Sequence, residues 1–175
     1  MKKKALIILP SYSVGGAEKV LLSYFKYFKS SKIKLKILII NSKGTKSNFL
    51  NKNKIGLNFK KFIYSLPTVI KLLKKENYNF IISTFPHISA LILLTKCIKL
   101  HNCKVIVRQP NIIEASLTGT FKLFLLKHIY IKLIKYADAV IVTSNHMLKE
   151  AKKNKILKKK LFLIFKPIDL KKTRA

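Results

Sequence analysis

The stretch LPSYSVGGAEKVLLSYF, residues 9–25, decides how this chain is to be read. An apolar run stops at Pro10, a polar bend follows, and two adjacent glycines, Gly15 and Gly16, stand just before Glu18. Behind the bend, Lys4 to Leu9 is a compact apolar run of the kind buried on both faces of a sheet. Ahead of it, Val20, Leu21, Tyr24, Phe25 and Phe28 recur at helical spacing and mark one apolar face. The glycines therefore sit between a strand and a helix. Two physical readings stay open. Glycine lets the backbone approach a ligand, and free N–H groups at a helix start favour an anion. Alternatively, a tight turn needs positive φ, with Glu18 suiting the helix dipole. The pattern is neither GxGxxG nor GxxxxGK[ST], and Ser42-Lys43-Gly44-Thr45 does not supply the latter.

Further along, strands are expected at Leu35 to Ile40, Asn79 to Thr84, Lys104 to Arg108, Ala139 to Thr143 and Leu161 to Phe165, with a weak one near Leu57 to Phe62. Helices are expected at Leu66 to Lys75 with Pro67 in the first turn, Ile88 to Leu100, Thr118 to Tyr136, and from the cap Ser144 to about Asn154. Strand and helix alternate, which predicts an α/β fold: a Rossmann-like, mostly parallel sheet with helices on both faces. Ligands of such sheets bind at the carboxyl ends of the strands. The segments to watch are Ser11 to Gly16, Asn41 to Gly44, Ser83 to His87, Arg108 to Asn111 and Thr143 to His146.

With 175 residues, 49% of them hydrophobic, the chain can build one domain with a real core and hardly two. The charge is lopsided: 37 basic residues against 6 acidic, net +31. Nucleic acid, an anionic membrane surface and plain compositional drift would each account for it. Only Arg108 and Arg174 are arginines. Readers of bases and phosphates favour the arginine fork, so nucleic acid is not expected as a partner. Cys97 and Cys103 form no CxxC and have no histidine-rich spacing, which predicts reduced thiols and no metal site. MKKKALIILP is too short in its apolar part for a secretory signal. No run reaches the roughly 18–20 apolar residues of a spanning helix. The expectation is a cytoplasmic protein, peripheral at most at the inner membrane face.

GGAEKVLL after the first strand resembles the N-terminal domain of family-four glycosyltransferases, retaining enzymes of the GT-B fold. The similarity continues in order through YNFIISTFPHISALI, KVIVRQPN, ADAVIVTSNHMLKEA and LFLIFKPIDLKK, and so spans essentially the whole chain. The resemblance implies two Rossmann-like domains facing across a cleft. The N-terminal one mainly holds the acceptor; the C-terminal one holds the nucleotide-sugar donor and a Glu-x7-Glu pair. It further implies retention at the anomeric carbon, no cofactor beyond the nucleotide-sugar co-substrate, and no bound metal. Gly15 and Gly16 would line the cleft.

Three departures qualify this. The chain stops at Ala175, where the second domain would begin, and no two acidic residues stand eight apart. Arg108-Gln109-Pro110-Asn111 stands where many members have a histidine, and Lys166 where the asparagine of "NPID" is common. The resemblance thus implies an acceptor-binding half over residues 1–166, with 167–175 opening a linker. That half would be inactive alone, its donor domain absent or supplied by a separate chain. The other class of function is a non-enzyme: a basic α/β module that binds anionic membrane or nucleic acid.

Each candidate site residue has a structural alternative. His87, beside Pro86, could contact an acceptor hydroxyl or be a cap or loop histidine. Arg108 could pair with an acceptor phosphate or snorkel from the sheet edge. Asn111 could bond a sugar or, as is favoured, cap the next segment. Glu114 is read as an exposed ion pair, and His101, His128 and His146 as structural or exposed. In TFKLFLLKHIYIKLIKY, lysines interrupt an almost unbroken apolar sequence. It is read as a core helix with snorkelling lysines; the alternative is a face resting on anionic lipid.

Overall fold

Continuous apolar runs have no polar side to offer water, so they pair at the centre of a sheet covered on both faces. Residues 5–9 and 37–40 do so here, and all are buried. The computed structural model describes residues 2–12, 16–28, 32–43, 53–117, 119–156 and 158–165. The elements in order are β1 (Lys3–Ser11), α1 (Gly16–Tyr27), β2 (Ile33–Asn41), β3 (Lys54–Gly56), α2 (Phe62–Glu76), β4 (Phe80–Ser83), α3 (Pro86–Cys97), β5 (Lys104–Arg108), α4 (Ile113–Ser116), α5 (Phe121–Ile134), β6 (Ala139–Val142), α6 (Asn145–Lys153) and β7 (Leu161–Leu163). The sheet order is β3-β2-β1-β4-β5-β6-β7. Every neighbouring pair is parallel. The predicted linker from residue 167 lies outside the described residues.

Right-handed crossovers decide which face each helix takes. The step from β1 to β2 runs one way along the sheet and puts α1 on one face. The steps from β3 onward run the other way and put α2, α3, α5 and α6 on the opposite face. The packing follows: Val69, Leu93, Tyr130 and Ala151 share one core with Val105, Val107, Val140 and Val142. Leu21 of α1 packs with Ile7, Leu9, Ile37 and Ile39 in a second, smaller core. One helix is narrower than seven strands. Beyond it, Ile82, Ile106 and Ile141 stay half-buried and, with Leu21, Tyr24 and Phe80, line an apolar groove of about 490 Å³.

Three local expectations need correction. The weak strand lies at residues 54–56, where it pairs with Ile37 to Ile39, and Phe62 begins a helix instead of ending a strand. Pro67 lies inside α2, not in its first turn. The helix starts a turn earlier because Phe62 is buried in the core and anchors it. The hydrogen bond that Pro67 cannot donate would have gone to the carbonyl of Ile63, whose residue faces solvent, so water can take the place of the missing donor. The short helix α4 was not foreseen, and α5 begins at Phe121, capped by Thr120, whose hydroxyl accepts from Leu123 N–H at 3.3 Å.

Candidate functional site

Between β1 and β4 the sheet order reverses, because the chain leaves β1 in one direction and returns to its other side. Connections diverge there and leave a crevice at the strand ends. A cavity of about 490 Å³ occupies it, lined by Gly16 and Ala17 at the start of α1, Phe85 and Pro86 at the start of α3, and Arg108 and Asn111 after β5. A recess of about 570 Å³ lies at the opposite edge, among Lys74, Asn79 and His101, away from the strand carboxyl ends.

Arg108 is the unusual member. It ends β5 on the face carrying α1 and is only 1% exposed. Its Nη1 donates to Thr84 Oγ1 at 3.2 Å, while Nε and Nη2 are buried and, among the described residues, have no partner at good hydrogen-bond geometry, the Tyr24 hydroxyl lying close by. Burial draws the guanidinium below its usual pKa, and the nearby Tyr24 hydroxyl opposes that. None of the four ion pairs among the described residues involves it. Buried charges are ordinarily paired, and a half-satisfied guanidinium is costly to keep. Its two free nitrogens offer a donor pair suited to a carboxylate or phosphate.

The loop after β5 is held by a residue that sequence reasoning missed. Glu150 of α6 is buried, and its carboxylate accepts from Gln109 Nε2 at 3.0 Å, Ile113 N–H at 3.0 Å and Glu114 N–H at 2.8 Å. It thereby caps α4, whose own N-cap, Ile112, has no side-chain acceptor. Gln109 also donates from Nε2 to Asn111 C=O at 3.2 Å, which fixes the turn that carries Asn111. The one sequence signal was scarcity: Glu150 is an acid among lysines on a helix whose buried positions are Met147, Glu150 and Ala151.

Of the predicted residues, the structure brings Gly16, Arg108 and Asn111 to one cavity. Gly15 lies outside the described residues. His87 does not line the cavity: it sits in the first turn of α3, exposed, with its ring 6.0 Å from that of Phe85. Surrounding protein still desolvates it enough to lower its pKa from the ordinary imidazole value. Asn111 is not a cap, since Ile112 occupies that position. Glu114 pairs with Lys153 at 3.4 Å on the surface. His101 is buried and accepts from Cys103 N–H through Nδ1 at 3.3 Å, a structural role. Among the described residues, no cluster of His, Cys, Asp or Glu could hold a metal ion.

Solved structures share this fold. A lipopolysaccharide outer core galactosyltransferase, WaaB, in its apo form, superposes with a TM-score of 0.70 at 15% identity, over 95% of this chain and 46% of its own. HepE of Anabaena in complex with UDP and glucose gives 0.68 at 15% identity, over 97% of this chain and 46% of its own. HepE in complex with UDP-glucose gives 0.67 at 14% identity, over 96% and 45%. The chain thus spans just under half the length of these structures, with the Rossmann-like sheet of a GT-B half. No protein-family model and no curated protein matches it.

Proposed function

From a sheet shared with sugar-transferring enzymes, we propose that this chain is the acceptor-binding half of a glycosyltransferase. The whole enzyme would move a sugar from a nucleotide-sugar donor to a glycan or lipid-linked glycan. The observation that carries this reading is Arg108: a buried cation with two free nitrogens at the switch-point cavity, beside the first residues of α1.

The chemistry of the residues supports that role. The Nε and Nη2 edge of Arg108 suits a phosphate on the acceptor, and the positive end of the α1 dipole favours the same charge. Asn111, exposed on a turn fixed by Gln109 and Glu150, offers an amide to sugar hydroxyls. His87 follows the cavity-lining Pro86 in the chain. Its lowered pKa keeps it neutral near pH 7, able to donate from one ring nitrogen and accept at the other. Gly16 keeps the entrance of α1 free of a side chain. The donor nucleotide and the groups acting on the anomeric carbon belong to a second half outside these 175 residues. These 175 residues therefore bind and orient the acceptor, and sugar transfer requires both halves.

Calorimetric titration with a glycan bearing a terminal phosphate, and with the same glycan without it, tests the reading. The phosphorylated form should bind at least about tenfold more tightly, and Arg108→Met should abolish the difference. Equal binding of both glycans by the wild-type chain would sink it. Salt-sensitive binding to an oligonucleotide with no glycan preference would favour the non-enzymatic module instead.

A further inference from the structure

One side of α5 is the core helix its sequence suggested, and the other is not. Tyr130 and Ile134 are buried against the sheet, but Phe121 is 80% exposed, Phe124 56%, Leu125 51% and Ile129 43%. At about 100° per residue these four lie within one side of the helix, and Lys122 and Lys132 lie on that side with them. Both lysines are exposed, and the first turn of α5 carries no acid. The helix is apolar towards the sheet and again towards solvent. A helical surface with two adjacent aromatics and a run of aliphatics in water is unusual for a side that none of the described residues covers.

We propose that this face of α5 docks the protein on an anionic lipid bilayer. Three observations select a membrane as the partner. First, the apolar side chains are interleaved with lysines, the arrangement of a helix lying in the interface: rings and aliphatic chains enter below the headgroups while ammonium groups reach lipid phosphates. Second, the charge is complementary, because the chain carries net +31 and a bilayer with acidic lipids attracts it. Third, α5 has 14 residues and is therefore about 21 Å long, too short to cross a bilayer. Among the described residues no helix is long and apolar enough to do so. A nucleic acid would use the lysines and leave Phe121 and Leu125 in water. The crossover direction adds a position. α5 runs against the strands, so its exposed aromatic end lies at the same edge of the sheet as the switch-point cavity. This inference does not depend on what that cavity binds.

Cosedimentation of the full chain with vesicles tests it. The vesicles are phosphatidylcholine alone, or phosphatidylcholine with about one quarter phosphatidylglycerol, in roughly 0.1 M salt. The wild-type chain should bind the mixed vesicles and not the neutral ones. Phe121→Ser/Phe124→Ser leaves the net charge unchanged and should weaken binding at least about tenfold. Lys19→Gln/Lys34→Gln removes two exposed charges from the side of α1 and β2, and should weaken it by less than about threefold. Far-ultraviolet circular dichroism melts show whether each variant remains folded. Because the two phenylalanines are exposed, their replacement should not lower the melting temperature. Binding that survives Phe121→Ser/Phe124→Ser would reduce the effect to bulk charge and overturn the proposal. Absence of binding to the mixed vesicles would overturn it too, as would a wild-type dimer dispersed by the same variant with no vesicle binding.

Discussion

Replacing Arg108 by methionine should make the protein more stable. The guanidinium is 1% exposed, and among the described residues two of its three nitrogens have no partner at good hydrogen-bond geometry. Each buried unsatisfied donor costs about 1–3 kcal/mol. What the substitution loses is the bond to Thr84 at 3.2 Å, worth about 1 kcal/mol, and the weaker contact with the Tyr24 hydroxyl. Methionine keeps an unbranched apolar stem, so little packing is lost. The balance is a gain of about 2 kcal/mol, within the range seen when buried charges give way to apolar side chains. For a chain of this size, that raises the melting temperature by about 4–8 °C. Urea denaturation followed by circular dichroism measures the change, and Arg108→Lys serves as control: it keeps the buried charge and should bring no gain. Addition of a phosphorylated glycan should raise the melting temperature of the wild-type chain and leave that of Arg108→Met where it was. A loss of stability above about 1 kcal/mol in Arg108→Met would refute the reasoning. The arginine would then be part of the architecture, and its free nitrogens would say nothing about a ligand.

Glu150→Ala should cost about 3–4 kcal/mol in urea denaturation, because three donors buried against one carboxylate lose it together. Glu150→Gln should cost about half as much, since its remaining carbonyl still accepts; a change within about 0.5 kcal/mol for Glu150→Ala would show that the loop holds itself. Acid should weaken the fold through two other carboxylates. Burial would raise Asp138, but its bonds to Lys96 and to Val105 N–H outweigh that and hold it below its ordinary 3.8. Hydrogen bonding and charge from Lys36 hold Glu76 below 4.5. A depressed folded pKa means stabilisation that is complete above the ordinary carboxylate range and lost as pH falls through the folded value. Urea midpoints should therefore be level above about pH 7, begin to fall below it because burial lowers His87 and His101 from the ordinary 6.5, and fall further below about pH 4, with a smaller fall in that last range in Asp138→Asn. An equal fall in both proteins would exclude Asp138 as a contributor.

The sheet was legible in the sequence because its strands are apolar on both faces, and such runs do not depend on register to be recognised. KVIVR, for example, is β5 from Lys104 to Arg108 as predicted. Ser144 was legible as a cap for a local reason: its hydroxyl accepts from Met147 N–H at 3.2 Å, three residues on. What sequence hid was long-range. The start of α2 depends on Phe62 reaching the core, which overrides the preference of Pro67 for a first turn. In α5, periodicity could not separate a buried face from an exposed one, because both are apolar. Glu150 meets its three donors from a different element, 36 to 41 residues away. Arg108 could be picked out as a rare arginine at a strand end. Its isolation among buried groups became visible only when the strands were set side by side.

The uncovered part of the sheet, beside α1, has a consequence for how the chain behaves in solution. Among its lining residues the one charged side chain is the buried Arg108, whereas the face of α5 carries exposed lysines. Copies of a protein with net +31 repel one another, and that repulsion opposes the attraction of this apolar shelf for its like. Salt shortens the reach of the repulsion to about 8 Å at physiological strength and leaves apolar attraction intact. The two apolar surfaces should therefore answer salt with opposite signs: adhesion to acidic vesicles weakens, while self-association grows. The same lysines that draw this protein towards a bilayer are what keep it dispersed before it arrives.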